Sequence, residues 1–470
     1  MSNVKVNYSY IEKIVSSPQF RNMQDKTQLF YSAPRRQVRT RLTHTIEVKV
    51  IARDIGRKLN SALSEELADL DLVDAIALAH DIGHTPFGHV GERTINDIVS
   101  RRDSLDGQLL PTGVHSMRFK HNVNSFRILR ELKVEDWRIV EGALCHTKVF
   151  YKGDGGAFGK NPYDPFRETV TKFEQFLQTH HGISSPPDTG KKLPSLTLEG
   201  QIVAIADEVA QRVADISDGL GSRYFEVVKN ILAIELTRNT REELERCIRE
   251  TLIRDIVGTT RQNLKKIRPA FGKIDGIGHD IYNTEVVSFS GDMQKRNGRL
   301  EEFITKMMAQ SEDVRESDSR SAHIIRQLCK AYLRDVSLLP DRFIAEYFQA
   351  TVNRSTFSAA QSMLLRRKEE AEKTGAPAEH IKALEAKLEV FEQIKSGKWR
   401  YTREFPGSGR VVIDMKWVGA FFAILTEDEH AGQTPELGVL FDEYILRIGF
   451  HIAGMTNTEA FTAYNRVYGH

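Results

Sequence analysis

The chain has 470 residues, 40% hydrophobic and 28% charged, with a formal net charge of +2, a globular composition with room for one large core or two to three ordinary domains. No run approaches the ~20 apolar residues of a membrane-spanning helix, and the near balance of charge exerts no global pull toward nucleic acid. Cys145, Cys247 and Cys329 are odd in number and far apart, which excludes a disulfide framework and a cysteine-rich metal site.

Met1 to Tyr10 lacks the basic-then-apolar layout of a signal peptide, so a cytoplasmic location is expected. Helical periodicity dominates the rest of the chain. His44 to Leu63 reads as a helix with Ile46, Val50, Ile51, Ile55 and Leu59 on one face. Asp71 is the expected cap of a second helix, whose apolar run Leu72, Val73, Ile76, Ala77, Leu78 and Ala79 delivers His80-Asp81 at its end. Gly83, Pro86 and Gly88 break that helix, and another starts near Gly88, with His89 and Glu92 three apart on one face. Tyr151 to Lys192 is rich in Gly, Pro and polar residues, the composition of a surface insertion around a short helix near Phe173. Leu198 to Leu220 is a strong helix on which Asp207, Gln211 and Asp215 recur every four positions along an otherwise apolar rod. Phe357 to Ile394 reads as a helical hairpin turning at Thr374-Gly375-Ala376-Pro377, and Tyr401 to Asp414 as a small β-hairpin around Pro406-Gly407-Ser408-Gly409. The fold class is therefore mainly α with minor β.

The run His80-Asp81-Ile82-Gly83-His84-Thr85-Pro86-Phe87-Gly88-His89-Val90-Gly91-Glu92 concentrates groups that bind metal or move protons. A helix end can aim His80 and Asp81 at one ion. His44, at the mouth of a helix, and Asp207, a carboxylate on an apolar helix that is costly unless paired or metal-bound, are candidates to complete the set. Two His and two Asp suit Mn, Fe, Co, Ni or Zn, with Mg less favoured by imidazole. Each alone has a bland explanation: a hydrogen-bonded His44, a local His80-Asp81 couple, or a salt bridge from Asp207 to Arg212 or Arg223. The pair His89 and Glu92 would in that case be a solvated helix face, Arg41 a surface salt bridge, and His146 a buried structural residue.

Four blocks resemble the HD-domain deoxynucleoside triphosphate triphosphohydrolases, the dGTPase-like family. They are Lys26-Thr27-Gln28 with Arg39 to His44, the run Ala79 to Glu92, Phe119 to Arg127, and Leu198 to Asp218; Ile452 to Thr456 is similar to the family's closing motif. The resemblance implies a helical HD-domain core with an H…HD…D metal set, here His44, His80, Asp81 and Asp207. It implies metal-dependent cleavage of a dNTP to deoxynucleoside and inorganic triphosphate by water attack at the α-phosphorus. His89 and Glu92 would be the catalytic dyad. Arg41, His84 and His121 would meet the phosphates, and Gln28 and Asp215 the sugar. Gln211 stands where the family usually has Tyr, Lys120 and Asn124 where Glu and Gln are common, and Phe450-His451 where Asp-Tyr is usual. Gln211 therefore changes the basis on which a 2′ hydroxyl would be rejected.

The expected organisation is a catalytic core over 1–356, an insertion over 357–435 carrying the helical hairpin, and a C-terminal segment over 436–470 packing back on the core. The resemblance also implies a homo-oligomer up to a hexamer and a second dNTP as allosteric activator, with no membrane partner. Two alternatives stand beside it: an HD-type phosphomonoesterase or phosphodiesterase, and a nucleic-acid-binding regulator with a vestigial site. Single-stranded DNA is the partner of the second, to which Trp399, Arg400 and Tyr401 would contribute stacking.

Overall fold

The structure, a computed structural model, describes residues 8–27, 39–64, 66–107, 109, 118–147, 149–150, 192–195, 197–219, 224–238, 240–267, 285–309, 311–401, 412–427 and 435–469. Among them the fold is mainly α. The helices are α1 (Tyr8–Ser16), α2 (Pro18–Asn22), α3 (Arg41–Leu63), α4 (Leu70–Ala79), α5 (Gly88–Val99), α6 (His121–Glu131) and α7 (Trp137–Cys145). They continue with α8 (Leu198–Gly219), α9 (Phe225–Leu232), α10 (Arg241–Ile267), α11 (Gly291–Ala309), α12 (Glu312–Arg334), α13 (Asp341–Thr351), α14 (Ser355–Thr374), α15 (Ala378–Lys395), α16 (Met415–Glu427), α17 (Pro435–Gly454) and α18 (Asn457–Tyr468). Two antiparallel strand pairs supply the β content. β1 (Val149–Phe150) pairs with β2 (Lys192–Leu193), and β3 (Arg400–Tyr401) with β4 (Val412–Ile413). The expected β-hairpin is represented by β3 and β4, while its turn at 406–409 lies outside the described residues. So do nearly all of the expected 151–192 insertion and its helix near Phe173.

The chain forms two compact units. The first comprises Met1–Glu92, Lys120–Ala322 and Ala453–Thr458. In it α3, α4, α7 and α8 pack on one another. α3 starts with a reciprocal cap in which the Thr40 hydroxyl accepts from the Thr43 amide and the Thr43 hydroxyl from the Thr40 amide. Its buried stripe is Val48, Ile51, Ala52, Ile55 and Leu59. The expected stripe is corrected at two positions, because Ile46 and Val50 are 48% and 59% exposed. Ile46 lies two residues, about 200°, from Val48, and so on the opposite face. The stripe runs instead from His44 through Val48, which carries the His44 imidazole inward.

α4 is capped by Asp69 rather than Asp71: the Asp69 carboxylate accepts from the amides of Asp71 and Leu72 at 3.0 and 3.2 Å. Asp71 sits in the first turn, where the helix dipole favours a negative charge. Every residue from Leu72 to Ala79 is buried, so beyond its first turn α4 is a central helix with no solvent face. The Asp69 amide donates to Glu199 Oε1 at 2.8 Å, tying the start of α4 to α8.

The second unit comprises Arg93–Phe119, His323–Ile452 and Glu459–His470. The expected helical hairpin is α14 and α15. Gly375, at φ +68, ends α14 in the left-handed conformation that a glycine adopts without a Cβ clash. Phe357, Phe391 and Phe421 meet with ring centroids 4.8–5.9 Å apart, and Lys368 pairs with Glu385 across the hairpin at 3.0 Å. Trp399 is buried beside Phe348, a ring contact of 5.3 Å. Its indole therefore packs on its own unit, the commoner arrangement for an isolated aromatic, and is not a free stacking surface for nucleic acid. Ion pairs onto the buried carboxylates Asp442 and Glu443 come from Arg101 and Arg354. Among the described residues no helix is long and apolar enough to cross a membrane.

Candidate metal centre and active site

His80 closes α4, and its Nδ1 lies 2.7 Å from the Ala77 carbonyl. A carbonyl only accepts, so Nδ1 carries a proton, and Nε2 would present a lone pair to a cation that displaces its own proton. That nitrogen is buried, has no hydrogen-bond partner, and faces Asp81 Oδ2 and Asp207 Oδ1, each 3.8 Å away. His44, from the first turn of α3, meets the same Asp207 oxygen through Nε2 at 2.8 Å. Two carboxylates turned toward one imidazole nitrogen need positive charge between them, which a proton on Nε2 or a metal ion in its place supplies. The ligand atoms of His44, His80 and Asp207 lie within 4.8 Å of one another, and mixed imidazole and carboxylate donors fit a divalent transition ion.

The ionisation of these groups has the same cause. Burial lowers the His80 imidazole, but the charges of Asp81 and Asp207 outweigh it and raise it to about 9. Burial would raise both carboxylates. His80 and Arg41 nevertheless hold Asp81, and His44 and His80 hold Asp207, well below the usual carboxylate range. Arg41 is itself buried and donates from Nη1 to Asp81 Oδ2 at 2.8 Å. It is thus an inward-facing cation, not the surface salt bridge of the bland reading.

Beyond Asp81 lies a group of further histidines. The His121 ring, from the start of α6, stacks on His84 at 4.5 Å and lies 6.4 Å from His89, centroid to centroid. His84 Nδ1 accepts from the Thr85 amide at 3.1 Å. Burial and the Arg41 charge push the His84 imidazole well below its ordinary range. Glu92 departs from the expected geometry. Its Oε2 is 2.7 Å from His121 Nδ1 and 3.9 Å from His89 Nδ1, so its hydrogen bond goes to His121. Burial alone would raise Glu92, but His121 holds it well below the usual carboxylate range, and Glu92 in turn raises the otherwise desolvated His121. The side chain of His89 is 53% exposed, at the solvent edge of this group.

Gln211 is half-buried and Asp215 buried, one and two turns of α8 beyond Asp207. Asp215 Oδ2 lies 3.9 Å from Arg212 Nη1. Arg212 also meets Glu301 of α11 at 2.7 Å, whereas Asp207 turns to His44 and His80. Gln28 lies outside the described residues.

Four residues support the site in ways the sequence did not assign to them. Lys26 is buried and its ammonium donates to the carbonyls of His84 at 2.6 Å and Ala453 at 2.8 Å. Ser125 donates to the His80 carbonyl and accepts from the Gly83 amide at 2.8 and 2.9 Å, while Asn124 donates to the Gly83 carbonyl. Asn457 accepts from the amide of Phe87, whose φ is +60. Each hydrogen-bonds the backbone around the HD turn; the available signal was their presence inside the blocks or, for Asn457, beside the closing motif. His146, for which the sequence offers the bland reading of a buried structural residue, has its Nε2 3.1 Å from His121 Nε2.

The HD domain matches residues 41–212, and the phosphohydrolase-associated domain matches residues 287–356. A deoxyguanosinetriphosphate triphosphohydrolase-like protein of Rhizobium etli (strain CIAT 652) is 31% identical over 350 residues, 68% of this chain and 76% of the relative. Proteins of the same description from Sinorhizobium medicae and Geobacter sulfurreducens are each 29% identical, over 71% of this chain and 78% of their own length. A buried His-Asp centre within the matched segment and this likeness over two thirds of the chain have one explanation: the chain belongs to the deoxyguanosinetriphosphate triphosphohydrolase-like family of HD-domain phosphohydrolases.

Proposed function

We propose that this phosphohydrolase cleaves deoxynucleoside triphosphates to the deoxynucleoside and inorganic triphosphate. The observation that carries the reading is the meeting of His44, His80 and Asp207, with Asp81 Oδ2 3.8 Å from the same His80 Nε2 and the Arg41 guanidinium on Asp81. Those four residues would hold a divalent cation such as Mn, Mg, Fe, Co or Ni. When bound, such a cation supplies Lewis acidity toward a phosphoryl oxygen and toward water.

The side chains supply the rest. A triphosphate carries about four negative charges and needs matched cations. Arg41 and the raised His121 answer that need, and His84 offers a ring nitrogen as a neutral donor. His89 is the exposed imidazole of the group and the candidate to move a proton at the 5′ oxygen. Glu92 then acts through His121, holding it protonated, as well as lying beside His89. Asp215 and Gln211 take the sugar, and the family resemblance adds Gln28 to that role. The names of the relatives support a nucleotide substrate. Assembly into a homo-oligomer and activation by a second dNTP belong to the same reading.

The test incubates purified protein with each dNTP and NTP and with Mn or Mg, and identifies products by chromatography. Inorganic triphosphate with deoxynucleoside is the expected outcome; monophosphate with pyrophosphate, or free phosphate, transfers the site to the phosphodiesterase or phosphomonoesterase reading. In parallel, His80→Ala should lose bound metal and at least about 10³-fold in turnover together. Normal metal content in that variant would reject the ligand assignment.

A further inference from the structure

We infer that Asn457 is a positioning residue that fixes the His89 imidazole through the backbone of the turn before α5. The inference rests on the reading of His89 as the group that moves a proton at the leaving oxygen. Phe87 and Gly88 enter α5 in consecutive left-handed conformations, at φ +60 and +61. A glycine takes that conformation without a Cβ clash, but a bulky side chain holds it only where the surroundings over-determine it. Phe87 is buried, and its amide donates to Asn457 Oδ1 at 2.8 Å across 370 positions of the chain. His89 comes two residues after Phe87, so a change in the Phe87 dihedrals swings the start of α5 and the imidazole with it.

Asn457 is itself held in place for that bond. It is buried at the start of α18, and its Nδ2 donates to Thr27 Oγ1 at 3.4 Å, which leaves Oδ1 turned to the Phe87 amide. The segment that carries it is pinned to the N-terminal part of the chain at further points. Asn22 donates to the Gly454 carbonyl at 3.3 Å, and the Thr458 amide donates to the Asp25 carboxylate at 3.1 Å. The Lys26 ammonium spans from the Ala453 carbonyl to that of His84, at 2.8 and 2.6 Å, and so ties the same segment to the other end of the turn. Within the turn, the Thr85 hydroxyl donates to the Gly88 carbonyl at 2.9 Å, and a Cβ on Gly91 would lie 2.1 Å from the Pro86 carbonyl oxygen. A turn this closely packed moves as one body, and the Asn457 bond sets the direction in which α5 leaves it. The His89 side chain is half-exposed, with its ring 5.4 Å from that of His84. Packing holds it on one side only, so its place follows from the backbone beneath it.

The competing account is that the Asn457 hydrogen bonds add stability alone. A double-mutant cycle on the full-length chain separates the two. Asn457→Leu keeps the side-chain volume and removes the acceptor, whereas Asn457→Asp keeps an acceptor for the Phe87 amide. Each is made in the natural protein and in His89→Gln, and kcat, KM and melting temperature are measured on the dNTP, or other phosphate ester, that the natural protein hydrolyses fastest. In the natural background Asn457→Leu is expected to lower kcat by about 10–100-fold with KM changed less than about twofold, and Asn457→Asp to keep kcat within about threefold. In the His89→Gln background Asn457→Leu is expected to change kcat by less than about twofold, because the group it positions is gone. Equal losses in the two backgrounds overturn the inference, as does an Asn457→Asp variant no more active than Asn457→Leu, or a His89→Gln variant as active as the natural protein. If Asn457→Leu does not fold, Asn457→Ser replaces it in the cycle, since a serine hydroxyl suits a helix start and stops short of the Phe87 amide. Products are identified on the same preparations. Triphosphate release with equal losses fails this inference and spares the functional reading, and a different product with the loss confined to the natural background does the reverse.

Discussion

Asp207 and Gln211 occupy adjacent turns of α8 but differ in what surrounds them. Asp207 is bound to His44 and lies 3.8 Å from His80, whereas Gln211 is half-buried where the family usually has a tyrosine. An amide can accept or donate to a 2′ hydroxyl, while a phenol ring fills the same space and leaves the hydroxyl without a partner. Gln211→Tyr is therefore expected to raise the ratio of dNTP to NTP turnover by about tenfold or more. Steady-state rates on paired dNTP and NTP substrates measure this, and an unchanged ratio would remove Gln211 from the sugar site.

Between elements, the turn that follows α4 is held against α6 at backbone distance. A Cβ on Gly83 would lie 2.1 Å from the Ser125 amide nitrogen and 2.4 Å from the His121 carbonyl oxygen. Backbone cannot rotate away as a side chain can, so Gly83→Ala must separate the turn from α6 and break the Ser125 and Asn124 hydrogen bonds. The expected cost is at least about 3 kcal/mol of stability, at the upper end for overpacking, together with weaker metal retention because His80 and Asp81 ride on that turn. A melting temperature and metal content equal to those of the natural protein would contradict the packing described for this turn.

Across the molecule, stability on the acid side draws on histidines that packing keeps neutral, and His451, partly buried, is one remote from the metal centre in sequence. Its ring lies 5.5 Å from Tyr332 and 5.6 Å from Phe343, and burial lowers it to about 4. An unfolded chain protonates this group near its ordinary value of about 6.5. Between those values the unfolded state binds more protons, so stability rises with pH. The contribution is complete above about 6.5 and is lost as pH falls toward 4. His451→Phe removes that titration. The fall in melting temperature from about pH 7 to about pH 4.5 should then be smaller in the variant by roughly 2–5 °C; parallel curves for the two proteins would count against it.

Much of the helical fold could be read along the chain because a helix is a local object. The stop after Ala79, the restart at Gly88, the long rod from Leu198 and the hairpin turning at Gly375 follow from periodicity, caps and breakers within a few residues of each boundary. Adjacency of His80 and Asp81 is covalent and is visible without a fold. Partner choice between helices is not local. That His44 meets Asp207 across 163 positions, that Glu92 bonds His121 rather than the His89 beside it on its own helix, and that His146 turns its Nε2 to Asp81 depend on how rotated helices pack. A rotation of about 100° per residue decides which face looks inward, and the outward-facing Ile46 and Val50 record the same fact. Spacing defines which side chains share a helix face; packing alone sets which faces meet, and distances of 2.7 against 3.9 Å then select the partner.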